Sequence, residues 1–400
     1  MKPHTKRYIL QGFLFVLTLI TTTLAGAEWI FGRQFFYPFI DEEALQKLQI
    51  TLPDTLGWPE FMAGFEFSVP FLAILTVHEF GHYFTAKYHQ VKVTLPYYIP
   101  FWFGLSQTIG TMGAFIRLES EIKSRKKFFD IGIAGPLAGF VVAILVLWYG
   151  FANLPTLDYV FKIHPEYQKY GMGFAKVVGQ RNMAGSVVLG DNLLFNFFKT
   201  YVADPTRLPP AFEMIHYPWL LAGYLALFFT SLNLIPIGQL DGGHILYGLI
   251  GKKSSAFVMP ILLVIFVFYA GLGLFTPLEF ANGTNITWWK DDNFVGLIGK
   301  MGFYSYFLYL CFSRITKDSQ TVWLLALGVL AAQLATSQLF PAAQGYSGFM
   351  PFVFLLGRFL GVYHPETEQD DPLSWQRQAL GWFALLVFVV SFSPRPFVVL

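Results

Sequence analysis

Apolar runs of about 20 residues recur along this chain, and that is the length an α-helix needs to cross roughly 30 Å of hydrocarbon. They fall at about residues 9–28, 64–86, 129–152, 217–237, 256–276, 294–312, 320–339 and 378–396. Inside hydrocarbon every backbone N–H and C=O must find a partner within the protein, so few folds are open to such a sequence. Charge is scarce enough to agree. Charged residues make up 13% of the chain, against about 25% in a soluble domain, while apolar residues reach 54%. The expected class is an all-α polytopic membrane protein with about eight transmembrane helices and the lipid bilayer as its main partner. The run 347–361 is short and holds Arg358. It reads as a re-entrant or interfacial helix, or as a ninth span. Residues 9–28 follow Lys6 and Arg7 and lead into TLAGAEW, a pattern that also resembles a signal peptide. The long apolar core and the spans that follow favour a retained helix.

The charges that remain set an orientation. Lys2, Lys6 and Arg7 lie at the N-terminus, and Lys87, Lys92, Arg117, Lys123, Arg125, Lys126 and Lys127 lie in the 87–128 connection. The positive-inside rule puts both in the cytosol and leaves 153–215 outside. The organisation expected is an N-terminal span with an outer connection (1–60), a three-span core (61–255) and C-terminal accessory spans (256–400). The 153–215 connection, rich in aromatics, is expected to fold against the membrane. The stretch 363–377 is the most polar and reads as a surface loop. A formal net charge of +2 with no dense basic stripe argues against nucleic acid as a partner. The single cysteine, Cys311, excludes a disulfide framework or a cysteine-rich metal site.

Residues 78–82 read HEFGH, at the end of the apolar run FSVPFLAILTV. Histidines four apart on a helix lie one above the other and can share a metal ion, with the intervening glutamate beside them to activate water. Three ionisable groups at the end of a membrane span cost several kcal/mol unless compensated, and a divalent metal compensates them directly. Zinc suits two imidazoles and one oxygen ligand with a fourth position open, so one Zn2+ per chain is expected on His78 and His82. Asp241, in SLNLIPIGQLDGGH, is the best candidate for the third ligand. Gly242 and Gly243 would let the backbone turn tightly there. The bland alternative is a solvated Asp-Gly turn, and His244 competes for the same role. His4, His89, His164, His216 and His364 read as satisfied or solvated polar groups.

HEFGH in one span and NxxPxxxLDGG in a later one resemble the site-2 protease family of intramembrane zinc metalloproteases. The resemblance implies that His78, His82 and Asp241 bind zinc and that Glu79 is the general base. It puts the family's Asn and Pro on Asn233 and Pro236, where they help to hold the substrate. Many members carry a second proline where this chain has Gly238. The stretches VKVTLPYYIPFWFG, GTMGAFIRLES and DIGIAGPLAG, with the ending HPETEQDDPLSWQR and SFSPRPF, are similar to the plastid and bacterial branch typified by the ethylene-dependent gravitropism-deficient proteins. Substrates implied are single-span membrane proteins already trimmed by another protease. The location implied is a bacterial inner membrane before a plastid one, with the active site toward the cytosol.

Two glycine-bearing segments can be read from their residues alone. In 104–114, Gly104, Gly110 and Gly113 interrupt an apolar stretch, as a re-entrant turn or hairpin between the second and third spans would. Irregular backbone at membrane depth must be buried or line a cavity, where a substrate could pair with it as an added strand. In 132–139, Gly132, Gly135 and Gly139 have the spacing that lets helices pack closely. Three rivals fit less well. A prenyl-protein type protease takes its third ligand from a glutamate, a metal transporter scatters its ligands, and a non-catalytic scaffold would have lost Glu79 or a ligand.

Overall fold

The computed structural model describes residues 3–36, 54–104, 108–179, 186–275 and 294–399. It is built from helices with two small two-stranded sheets, the architecture of an all-α polytopic membrane protein. Among the described residues, five helices are long and apolar enough to cross a membrane: Thr5–Phe31, Trp58–Tyr88, Arg125–Ala152, Asp241–Gly271 and Ser319–Leu339. Three more of the expected runs form helices of 16, 19 and 17 residues, Pro218–Asn233, Phe294–Phe312 and Trp375–Ser391. The run 347–361 folds as short 3-10, α and π turns over Ser347–Leu360, too short to cross. The chain divides into two compact units, one of residues 1–121, 134–232 and 387–400, the other of 122–133 and 233–386.

In the first unit α1 (Pro3–Phe31) packs on α2 (Trp58–Ala63) and α3 (Phe65–Tyr88). Thr21, Thr22 and Thr23 lie on an apolar helix, and each hydroxyl donates to a carbonyl one turn back. Thr23 also reaches Ser68 Oγ at 2.8 Å, a polar tie between the two helices. A β-hairpin follows α3, with β1 (Tyr97–Phe101) antiparallel to β2 (Gly110–Phe115) and a bulge between Tyr98 and Pro100. This is the hairpin expected between the second and third spans. Polar groups along α1 satisfy its backbone: Gln11 donates to the Leu95 carbonyl, Thr21 to Gly110 and the Trp29 indole to Thr108. The Trp102 indole on the far side donates to Glu28. Gly110 has φ +81°, and a side chain there would run into the backbone of Thr22.

The long helix α4 (Arg125–Ala152) contributes residues 134–152 to this unit. A side chain at Gly135 would overlap the His82 ring, and one at Gly139 would meet His78 Cβ at 3.0 Å. The 153–215 connection forms short turns, strand β3 (Val187–Leu189) and helix α5 (Leu193–Tyr201), which Asn192 caps by accepting from the Phe195 amide. Phe174, Phe195 and Phe198 turn inward, with Phe195 edge-on to Phe151 of α4 at 5.1 Å, while Phe197 and Tyr201 are exposed. Helix α6 (Pro218–Asn233) is buried along nearly all of its length. The C-terminal strand β4 (Phe397–Val399) pairs antiparallel with β3.

The second unit is built around α7 (Asp241–Gly271), which Gly251 breaks at φ +77°. The broken end is held by Arg125, whose guanidinium donates twice to the Gly248 carbonyl, at 3.0 and 2.8 Å, and once to Asp370. Helices α8 (Phe294–Phe312), α9 (Ser319–Leu339) and α10 (Trp375–Ser391) complete it. Asp130 takes a two-pronged bond from Arg377 at 2.7 and 2.8 Å. The stretch 363–377 is mostly exposed, as expected of a surface loop, and is anchored by a few inward residues. His364 is buried, accepts or donates at 2.8 Å to His244, and stacks on Tyr247 at 3.8 Å. Lys252 and Lys123 pair with Glu366 and Glu368. The loop thus braces α7 through His364 and these ion pairs while most of its residues stay exposed.

The loop ahead of α7 explains Gly238. Its φ is +61°, and a side chain would collide with the carbonyl of Gly361. A proline, with φ fixed near −65°, cannot take that conformation. Gly238→Pro should therefore destabilise the protein by more than about 1 kcal/mol, and Gly238→Ala should lower the melting temperature too. A melting curve in detergent checks both. The same measurement separates the glycines of α4. Gly135→Ala should cost about 1–3 kcal/mol by overpacking. Gly139→Ala should be close to neutral, because its contact is marginal and alanine gains about 1 kcal/mol of helix propensity.

Candidate metal centre

Helix α3 buries one stripe made by Phe67, Phe71, Ile74, His78 and His82, successive steps of three or four residues. The first members are apolar and fix the face by packing, with Phe67 stacked on Phe71. The two imidazoles continue the stripe. His78 Nε2 and His82 Nε2 lie 3.1 Å apart, and Glu79 Oε1 is 4.0 Å from His78 Nε2. Exposure of the three residues is only 5–7%. Two ligand atoms on one tetrahedral zinc sit roughly 3.3 Å apart. The imidazole pair has that spacing before any ion is considered, so the donor set fits.

The neighbours hold this geometry. Gly135 and Gly139 of α4 leave room for the His82 and His78 rings, and Gly81 brings α3 against the Ala134 carbonyl, 2.6 Å from where its Cβ would be. On the hairpin side Tyr98 OH bonds Thr76 Oγ1 at 2.8 Å, half a turn before His78. The hairpin that carries Gly110 and Gly113 is thus tied to the histidine-bearing helix. Gly113 has φ +101° with no atom within 4 Å of an added Cβ, so backbone conformation alone calls for glycine there.

Asn233, Pro236 and Asp241 lie in the second unit and are half-buried. Sequence reasoning put Asp241 beyond the end of a helix running to about residue 237, with Asn233 about two helical turns earlier. The structure ends α6 at Asn233 and starts α7 at Asp241 itself. Pro236 accounts for the early end, since the residue before a proline is driven out of the α region. Asp241 therefore stands in a first helical turn, where unpaired N–H groups favour a carboxylate. Gly242 and Gly243 are corrected as well. Both are helical, and a side chain on either would strike the carbonyls of Leu234 and Gly238. They let the loop lie back against its own helix.

His244 is held away from a ligand's role in its own unit. Its Nδ1 bonds His364 Nε2, its ring stacks on Phe128 at 5.2 Å, and Gly132 leaves room for its Cβ. The His244–His364 pair is a feature that sequence reasoning missed, because 120 residues separate the two.

Comparison with known proteins finds plant zinc metalloproteases among the relatives. The chain is 28% identical over 252 residues to a probable zinc metalloprotease EGY1, chloroplastic, of Arabidopsis thaliana, covering 62% of this chain and 41% of that protein. It is 33% identical over 183 residues to the EGY1 protein of rice, Oryza sativa subsp. japonica, covering 46% of this chain and 28% of that protein. A rice EGY2 protein, of Oryza sativa subsp. indica, is 28% identical over 243 residues, 60% of this chain and 40% of its own length. The matched stretch is thus well under half of each relative. No solved structure matches. The family model for Peptidase family M50 matches residues 66–273, more than half of the 400 and a range that holds both HEFGH and LDGG. On that match the chain belongs to Peptidase family M50.

Proposed function

We propose that this protein is an intramembrane zinc metalloendopeptidase of the site-2 type, hydrolysing peptide bonds in or near the transmembrane segment of membrane protein substrates. The observation that carries the reading is the buried face of α3, where two imidazole nitrogens stand 3.1 Å apart with the Glu79 carboxylate beside them. Family membership and relatives named zinc metalloproteases support it. The proposed ligand set is His78, His82 and Asp241, the three residues on which the HEFGH and LDGG motifs fall. When bound, zinc supplies the Lewis acidity that amide hydrolysis needs.

Glu79 is the general base in this reading. It takes the proton of the attacking water and returns it to the leaving nitrogen. Burial keeps bulk water from competing for that carboxylate. The substrate helix must unwind to expose its carbonyl, and the β1–β2 hairpin offers unpaired edge groups on which an unwound strand can lie. Gly110 and Gly113 shape that hairpin. Asn233 and Pro236 position the substrate from the loop ahead of Asp241. Substrates are single-span membrane proteins already trimmed by another protease. The location proposed is a bacterial inner membrane, with the active site toward the cytosol on the basic residues of 87–128.

Glu79→Gln should keep zinc and lose turnover, by about 10²-fold or more, because an amide cannot accept the proton. His78→Ala and Asp241→Asn should lose cleavage and the zinc ion of this centre, whereas Asn233→Ala should keep that zinc and cleave poorly. Zinc content and cleavage of a transmembrane peptide, measured side by side, check the assignment. Full activity in Glu79→Gln would sink it. For topology, Lys253→Cys should label only from the cytosolic face and Lys176→Cys only from the opposite one. Cys311, the chain's single native cysteine, is buried and leaves a quiet background.

A further inference from the structure

The 153–215 connection and the residues that follow it carry a second cluster of metal-ligating side chains. His164 stands just before a 3-10 turn (Pro165–Gly173), and Glu213 and His216 lie on another (Ala211–His216) that leads into α6. All three belong to the first unit. His164 Nε2 is 3.5 Å from His216 Nε2 and 3.7 Å from Glu213 Oε2. One ligand atom from each of the three lies within 4.8 Å of the other two.

The protons on these groups follow from their other partners. His216 Nδ1 faces two backbone oxygens, of Trp29 at 3.0 Å and Ile30 at 2.9 Å. Carbonyls only accept, so Nδ1 carries the hydrogen and Nε2 presents a lone pair. His164 Nδ1 faces Glu166 Oε1 at 3.2 Å, which leaves its Nε2 in the same state. Two lone pairs thus point at each other. Glu213 is 1% exposed, and its Oε2, aimed into the same space, has no hydrogen-bond partner. An imidazole whose outer nitrogen is fixed by a carbonyl or carboxylate is the usual arrangement of a metal-bound histidine.

We propose that His164, Glu213 and His216 form a second divalent-metal site of the zinc class, independent of the HEFGH centre. The two measured separations approach the roughly 3.3 Å expected between ligands on a tetrahedral zinc, and two imidazoles with one carboxylate are a zinc donor set. A cavity of about 250 Å³ lined by Trp29, Tyr167 and Phe212 adjoins the cluster and leaves a fourth position for water. The ion ties the end of α1, through its last carbonyls, to the entry of α6. The rival occupant is a proton: burial pushes the Glu213 carboxyl up to about 8 and the His216 imidazole down to about 4, so the cluster is neutral without a cation.

Elemental analysis of the full-length protein, purified in detergent without chelator and equilibrated with zinc, decides between them. Wild type should hold about two zinc ions per chain, the His78→Ala/His82→Ala protein about one, and Glu213→Gln or His164→Ala about one. Cobalt added to the His78→Ala/His82→Ala protein should give the visible spectrum of a tetrahedral site, and Glu213→Gln in that background should abolish it. One zinc in wild type that disappears with His78→Ala/His82→Ala overturns the proposal, and so does zinc content unchanged by Glu213→Gln and His164→Ala. One zinc that survives His78→Ala/His82→Ala supports it while counting against the HEFGH centre. If the cluster variants do not fold, the comparison of wild type with His78→Ala/His82→Ala still decides.

Discussion

Burying two imidazoles and a carboxylate on the inner face of an apolar helix is the constraint around which the first unit is built. Each group would cost several kcal/mol if left unpaired at membrane depth. The fold therefore has to hold them close enough to share a compensating charge. That closeness comes from α3 itself, since a four-residue step stacks His78 under His82, and from α4, which can approach only because Gly135 has no side chain in the way. A bulkier residue at 135 would compete with the His82 ring for the same space. Helix packing and the placing of the imidazoles are thus one requirement, met by the same glycine.

The same rule of polar satisfaction explains why an irregular hairpin is tolerated beside the helices. Its backbone is not left to lipid. Gln11, Thr21 and Trp29 of α1 donate to three of its carbonyl groups or those flanking it, and Tyr98 bonds Thr76 on α3. Helix α1 is therefore more than a membrane anchor in this structure, because its polar residues are spaced along one side to meet the hairpin. The threonines that are not so used donate to their own helix.

How much of this was legible in the sequence depended on whether a feature is local. HEFGH is a helix-period pattern, and the structure puts its three side chains together on one buried face. The glycines of 104–114 gave the hairpin, because their positive φ values are a backbone property that the residue type records. Hydropathy overran the end of α6, since Leu234, Ile235 and Ile237 are as apolar as a span and are buried in a loop. Pro236 was the signal that could have corrected it. The His164–His216 pair was not legible. Fifty-two residues separate them, and only tertiary folding of an irregular connection brings their nitrogens within 3.5 Å.

The polar stretch after residue 361 is the surface loop that its charge density marks, but its contacts were not legible in the sequence. Gly361 offers the carbonyl against which Gly238 packs, His364 holds His244 and Tyr247, and Thr367 bonds the Tyr247 hydroxyl. Asp370 completes the hold on Arg125, which in turn caps the broken end of α7. These residues lie beyond 273, outside the stretch that matches the family model. A proline in place of Gly238 would stiffen the loop ahead of Asp241 by itself. Here the loop takes a left-handed turn that has no such internal restraint, and its rigidity comes from contact with the distant segment. The C-terminal part of the chain is therefore part of what fixes Asp241, and changes at 361–370 should be read as changes to the loop that carries it.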